Sequence, residues 1–207
     1  MSRGTKTLLF GVHQFILHPF FVLYSWLMIY GKFPKLHELV AIVIHDWGLW
    51  GKPDVDGEKA EQHPEIVHDF IWKYIIPYNG DISTADIIIR WTTFWNNVAC
   101  EVLGHSRYYA AKYNIPISKL CRADKGATAL YPFWLYYLLG TLSGEINEYM
   151  ERTKNGKYSG NMWNYENKIK WLIELRARMS LQSLEPNDND LVKSAKKGFR
   201  NVDKNDY

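Results

Sequence analysis

The sequence predicts an all-α protein with a single domain. Its apolar residues come in long runs separated by Pro- and Gly-containing turns, and no stretch alternates apolar with polar residues as a half-buried strand would. No segment repeats, and the only shift in composition is at the C-terminus. Hydrophobic residues make up 47% and aromatics 15% of the 207 residues, enough for one sizeable core. The helical domain is expected over residues 1–185, with its core at about 13–155, and residues 186–207 form a polar tail.

Residues 5–17 are apolar around His13 and Gln14 and read as a short helix. His18-Pro19 then opens a helix to Tyr30, because proline suits a first turn and disfavours helical geometry in the residue before it; His18 is expected at the N-cap. Gly31-Lys32-Phe33-Pro34 ends that helix, and the next, Lys35 to Trp47, ends on His45-Asp46. Residues 48–62 form a loop rich in Gly, Asp and Lys. His63-Pro64 repeats the histidine-proline start, with His63 at an N-cap and a helix to Ile76. Ser83 and Asp86 make a capping box for a long helix to Leu103. Gly104-His105-Ser106-Arg107 interrupts it, and a short helix reaches Lys112. Ser118 to Leu130 is helical and contains Asp124. Pro132 opens the longest apolar helix, to Thr153. Residues 154–161 are a linker, Met162 to Leu184 is amphipathic, and the tail carries the basic residues Lys193, Lys196, Lys197 and Arg200.

Composition excludes some classes. Lys and Arg number 25 against 22 Asp and Glu, and a net charge of +3 is too small for duplex nucleic acid yet does not repel an anionic substrate. Cys100 and Cys121 form no CxxC motif, which fits a reduced, cytoplasmic protein. His13, Gln14, His18 and Pro19 interrupt the first apolar stretch, so neither a signal peptide nor a membrane span is expected. The apolar helices at 130–150 and 162–184 could pair in a homo-oligomer.

The chemistry lies in the order of the histidines and acids. An apolar run, Ile42-Val43-Ile44, ends on His45-Asp46, and carboxylates are seldom buried unless paired or metal-bound. His18, His63 and His105 stand at helix starts or interruptions, and Asp124 lies inside a helix. Imidazole nitrogen with carboxylate oxygen suits divalent transition metals, and two ions sharing a carboxylate can acidify a water and clamp a phosphoryl group.

The order His, His-Asp, His, His, Asp resembles the HD superfamily of helical metal-dependent phosphohydrolases. The likeness covers residues 13–130: HDWGLWGKP resembles the family's His-Asp motif, HPEIV a further histidine that opens a helix, and HSRYYAAKYNIPISKLCRADKGA the last histidine and the closing aspartate. It implies an HD-type domain with a metal site between central helices. The implied metal ligands are His18, His45, Asp46, His63, His105 and Asp124. His13 stands five residues from His18 and competes for the first place; His18 is preferred because its helix leads directly into the His-Asp helix. Two divalent ions per chain are implied, of Mn, Co, Zn or Fe, with Mg allowed.

The implied activity is hydrolysis of a phosphoester in a nucleotide, a cyclic nucleotide-type compound or another phosphorylated small molecule. Asp46, Lys52 and Arg107 are expected to carry the catalysis, and Lys52, Arg107 and Lys125 to hold the phosphate. Glu101, four residues before His105, is placed to orient its imidazole. Asp54, Asp56 or Glu58 offers a general acid. The aromatics Tyr131, Phe133, Trp134, Tyr136 and Tyr137 either build core or stack a base. His68 falls on a different helix face from His63 and reads as structural or exposed, and His37, near a helix start, as solvated. Two other readings stay open: a di-iron oxygenase, which the same ligand order forms in a minority of the superfamily, and a non-catalytic nucleotide-binding protein.

Overall fold

The computed structural model describes residues 1–76, 85–154 and 167–184. Ten α-helices and no strand occur among them. They are α1 (Arg3–Phe10), α2 (Leu17–Tyr30), α3 (Leu36–Ile44), α4 (His63–Phe70), α5 (Ala85–Gly104), α6 (Arg107–Lys112), α7 (Lys119–Leu130), α8 (Phe133–Ser143), α9 (Glu145–Lys154) and α10 (Lys168–Leu184). Short 3₁₀ turns at Trp47–Leu49 and Ala60–Gln62 flank the loop between α3 and α4, and a π turn over Ile71–Ile75 extends α4. No described helix is long and apolar enough to cross a membrane.

Helix α7 lies in the middle, packed on α2 and α10 and touching α3 and α5. One core joins α2, α3, α4, α5 and α7 through Val22, Trp26, Ile42, Val67, Ile71, Val102 and Leu120, all buried. A second joins α8, α9 and α10 through Tyr136, Ile146, Trp171 and Leu172, and Tyr131 ties it to α2 through Phe21. Helices bury one stripe of residues spaced three and four apart. The candidate ligands extend those stripes: His18 is one turn before Val22, His45 one turn after Ala41, His63 one turn before Val67, His105 three residues after Val102, and Asp124 midway between Leu120 and Ala127. That spacing turns all five side chains toward the core.

Four expectations change. His18 is not an N-cap: α2 starts at Leu17 with Ile16 as N-cap, and the His18 N–H donates to Gln14 O at 3.1 Å. Pro19 therefore stands within the first turn, where its missing N–H removes no helix bond. His63 is likewise the first residue of α4, with Gln62 before it, because the 3₁₀ turn Ala60–Gln62 runs straight into the helix. The single helix expected over 132–153 is two, since Gly144 takes a left-handed backbone (φ 84°) and Glu145 starts α9 in a new direction. The first expected helix, 5–17, ends at Phe10. The Ser83 capping box, the linker, the start expected at Met162 and the C-terminal tail lie outside the described residues.

Candidate metal centre

Six side chains from five helices meet between the two cores. His18 comes from the first turn of α2, His45 and Asp46 from the end of α3, and His63 from the start of α4; His105 immediately follows α5, and Asp124 lies within α7. They form two groups of closely spaced ligand atoms: His18, His45 and Asp124 in one, Asp46, His63 and His105 in the other. Asp46 joins them. Its Oδ2 lies 3.2 Å from both His18 Nε2 and His45 Nε2, while its Oδ1 lies 3.5 Å from His63 Nε2. Asp124 Oδ1 is 3.0 Å from His18 Nε2 and 3.7 Å from His45 Nε2.

Three of the histidines are oriented by one device. His45 Nδ1 lies 3.0 Å from Ile42 O, His63 Nδ1 lies 2.7 Å from Ala60 O, and His105 Nδ1 bonds Val102 O, each the carbonyl three residues earlier. A carbonyl only accepts, so each Nδ1 carries the hydrogen and each neutral ring directs an Nε2 lone pair inward. His63 Nε2 and His105 Nε2 consequently face each other at 3.1 Å with no hydrogen between neutral rings. Such a contact is repulsive unless a cation occupies the space beside it. Two nitrogens bound to one ion at about 2.1 Å are separated by about 3.0 Å at a right angle and about 3.4 Å at the tetrahedral angle. The observed spacing fits that requirement. His18 Nε2, His45 Nε2 and Asp46 Oδ2 are buried with only the ion-pair contacts above, out of hydrogen-bond geometry, and His18 Nδ1 is buried without a hydrogen-bond partner, which is costly for a merely structural cluster. His18, His45 and Asp124 in one group and Asp46, His63 and His105 in the other could each hold a metal ion.

Proton affinities lean the same way. Burial, reinforced by any charge on His45 and His63, drives His105 down to about 3, and burial also lowers His63 despite Asp46. Both rings stay neutral, as metal binding requires. Burial opposes ionisation of Asp46 and Asp124, yet His45 beside Asp46, and His18 and His45 beside Asp124, hold both well below the carboxylate range. His45 is also buried, but the two carboxylates outweigh that and raise it to about 10.

Gly48 explains the spacing between the His-Asp pair and His63. A Cβ there would lie 2.2 Å from His63 O, so only glycine lets the turn after Asp46 approach α4 this closely.

A cleft of about 170 Å³ opens beside this centre, lined by His13, Asp56, Asp124, Lys125, Thr128 and Tyr136 among others. The Asp124 side chain is 30% exposed and His63 18%, whereas His18 and His45 are sealed, so ligands reach the centre from the Asp124 side. No family model, curated protein or solved structure matches the chain. What can be said of its chemistry rests on these side chains.

Of the expected cations, Lys125 lines the cleft, and Lys52 and Arg107 do not. Lys52 instead ties the loop to α1, its carbonyl accepting the Gly4 N–H at 3.0 Å. Glu101 does not orient His105, whose Nδ1 is taken by Val102 O. It joins His37 and Glu38, and there Lys119, 2.8 Å from Glu38, supplies the positive charge. Asp54 accepts the Ala60 N–H and faces Arg152, a loop-holding role; Glu58 is exposed, and only Asp56 of the three reaches the cleft. Tyr131 and Tyr136 are buried, Trp134 is exposed, and of that aromatic stretch only Tyr136 meets the cleft. His68 Nδ1 lies 2.9 Å from the exposed Asp69 carboxylate, outside both groups. His37, expected to be solvated, is half-buried.

Sequence reasoning missed Glu145 and Glu148. Glu145, fully buried, pairs with His13 at 3.0 Å. Glu148 accepts the Val55 and Asp56 N–H groups, both at 2.9 Å, and so holds the loop over the cleft. The available signal was Gly144 followed by two glutamates three residues apart, which mark a new helix start with both acids on one face.

Proposed function

We propose that the chain is a metal-dependent phosphohydrolase acting on a phosphoester of a nucleotide, a cyclic nucleotide-type compound or another small phosphorylated molecule. The observation that carries this reading is Asp46, which sets one carboxylate oxygen against each of two histidine groups. His18, His45, Asp46 and Asp124 would hold one cation, and Asp46, His63 and His105 the other. Two divalent cations so held supply an acidified water and positive charge for the phosphoryl oxygens.

The chain's own residues do the rest. The backbone carbonyls of Ile42, Ala60 and Val102 fix the imidazole tautomers, so no reorganisation is needed when the centre fills. Lys125, next to Asp124 on α7, offers its ammonium to a phosphate in the cleft. The loop held by Glu148 brings Asp56 to the same cleft, where its carboxyl would serve as general acid to a leaving group. Tyr131 stacks on His18 and the α2–α7 packing buries it, so the approach to this group is left to the Asp124 side.

The test is elemental mass spectrometry of protein purified without chelator or a nickel column, followed by a hydrolysis panel of nucleotides and cyclic dinucleotides. Two Mn, Co or Zn ions per chain with release of phosphate or a monoester is the expected result. Two irons with oxygen uptake would replace the reading with oxygen activation, and a metal-free, inactive chain would refute it.

A further inference from the structure

Three tyrosines are buried among the described residues, and two of them give their hydroxyls to an acceptor. Tyr109 OH donates to Glu65 at 3.1 Å and Tyr131 OH to Val12 O at 2.8 Å. The third, Tyr136, is only 3% exposed, and its hydroxyl makes no hydrogen bond to any described residue. A buried hydroxyl without a partner is costly, and most find one within the protein.

The hydroxyl is not what holds the ring. Tyr136 packs edge-on against Tyr131, with centroids 5.7 Å apart and planes at 85°, in the core that includes Val12, Ile146, Trp171 and Leu172. Its backbone N–H donates to Pro132 O at 3.0 Å at the start of α8. Packing and the helix fix the side chain, and the phenol end is left over.

That end belongs to the cleft. Tyr136 lines it together with Asp124 and Lys125 of α7, and the surface Tyr136 keeps faces this space. It stands toward the metal centre, within electrostatic reach of Asp124, Asp56, Glu145 and Arg176. A phenol carries its hydrogen throughout the neutral range, so it donates without any change of protonation. An anion entering the cleft would meet the Lys125 ammonium on α7 and this neutral O–H on α8. We infer that Tyr136 is a substrate-contacting residue whose phenol donates a hydrogen bond to a non-bridging oxygen of the phosphoester. This rests on the phosphohydrolase reading. The hydroxyl that the fold leaves unpaired is the one the substrate satisfies.

The probe is inorganic phosphate with the full chain loaded with Mn²⁺, read by titration calorimetry. Tyr136→Phe removes one oxygen and leaves the ring. Its metal content should match the wild type, and its thermal midpoint without phosphate should be equal or higher, because the variant buries no unpaired hydroxyl. It should bind phosphate about tenfold to a hundredfold more weakly, the range for a lost hydrogen bond to a charged acceptor.

Wild-type phosphate affinity in Tyr136→Phe would overturn the inference and leave Tyr136 a core residue. A lower thermal midpoint in the phosphate-free variant would also overturn it, since the hydroxyl would then already serve the fold. Absence of phosphate binding in the metal-loaded wild type would instead refute the hydrolase reading, and this inference with it. Should Tyr136→Phe fail to fold, a crystal structure of the wild type with Zn²⁺ and phosphate decides the matter: a phosphate oxygen about 2.7 Å from Tyr136 Oη is required, and a hydroxyl without that contact rejects the proposal.

Discussion

Replacing Asp46 by Asn tests the central feature of the site. Asparagine keeps the shape of the side chain but removes the charge that three imidazoles face at 3.2–3.5 Å. It also puts an NH₂ group in place of one of the carboxylate oxygens that would face a bound cation. Taking away one partner of a buried charge cluster costs roughly 3–5 kcal/mol in the metal-free chain. At about 2–4 °C per kcal/mol for a chain of this size, the thermal midpoint should drop by roughly 6–20 °C. In the wild type, one cation present at a hundredfold over its Kd adds about 2.7 kcal/mol, so chelation should lower the midpoint by roughly 5–11 °C. In Asp46→Asn the chelator should move it by less than half as much, because both ligand groups lose an oxygen. Differential scanning calorimetry with and without chelator, paired with metal analysis, reads all of these quantities. A variant that keeps two metals per chain and the wild-type response to chelator would refute the shared-carboxylate argument.

Three further outcomes follow from other parts of the molecule. Burial raises the Glu101 carboxyl to about 7, helped by Glu38 and opposed by Lys119, the Leu120 N–H and Ser118, with His37 completing the surroundings. The folded chain therefore binds this proton more tightly than the unfolded chain; the stabilisation is complete below about pH 4.5 and lost as pH rises through 7, so Glu101→Gln should be more stable than wild type by about 1–3 kcal/mol at pH 8 and equal to it near pH 4, as measured by urea unfolding. Lys125→Ala should leave metal content unchanged and raise KM for whatever phosphoester is turned over about tenfold, with kcat nearly constant; an unchanged KM in steady-state kinetics would remove Lys125 from the cleft's chemistry. Gly144→Ala meets no neighbouring atom within 4 Å but must hold φ at 84°, so it should cost roughly 1–2 kcal/mol in denaturant unfolding, and a neutral effect would mean the α8–α9 break does not depend on the glycine.

The fold and the gathering of the six side chains were legible because both obey the helical repeat. Each helix was bounded by Gly or Pro, and each candidate ligand lay one turn along a buried stripe from an apolar residue, as His45 does from Ala41 and His63 from Val67. The caps were less legible. A histidine before proline reads as an N-cap locally, but the preceding turns at Gln14–His18 and Ala60–Gln62 already supply helical hydrogen bonds, and that tertiary choice overrides the local preference. Of the three cations expected near a substrate, only Lys125, next to Asp124 on α7, lines the cleft. Lys52 and Arg107 are near the ligands in sequence but are carried away by the turns that follow them, and nothing in their spacing could show it. Glu145 was hidden for the opposite reason: it lies 132 residues from His13, inside what reads as one apolar helix, and becomes visible only when Gly144 redirects the chain.

The orientation of the centre is built from helix ends, and this couples filling of the site to the fold. His45, His63 and His105 each give Nδ1–H to the carbonyl three residues earlier, and Ala60 O and Val102 O also accept the backbone N–H of the same histidine. The carbonyl that closes the turn therefore also sets the tautomer of the ring. Fraying any of these ends frees the carbonyl for water and the ring to rotate, so a ligand is lost with the turn. The converse also holds: a cation drawing His63 and His105 together relieves the one repulsive contact at the junction of α4 and α5. Amide exchange at Ala41–Asp46 and Val102–His105 should accordingly slow when metal is added, while exchange in α10, which carries no ligand, should not change. Equal protection in both places would mean that the histidines are held by packing alone and that the cation adds nothing to the helix ends.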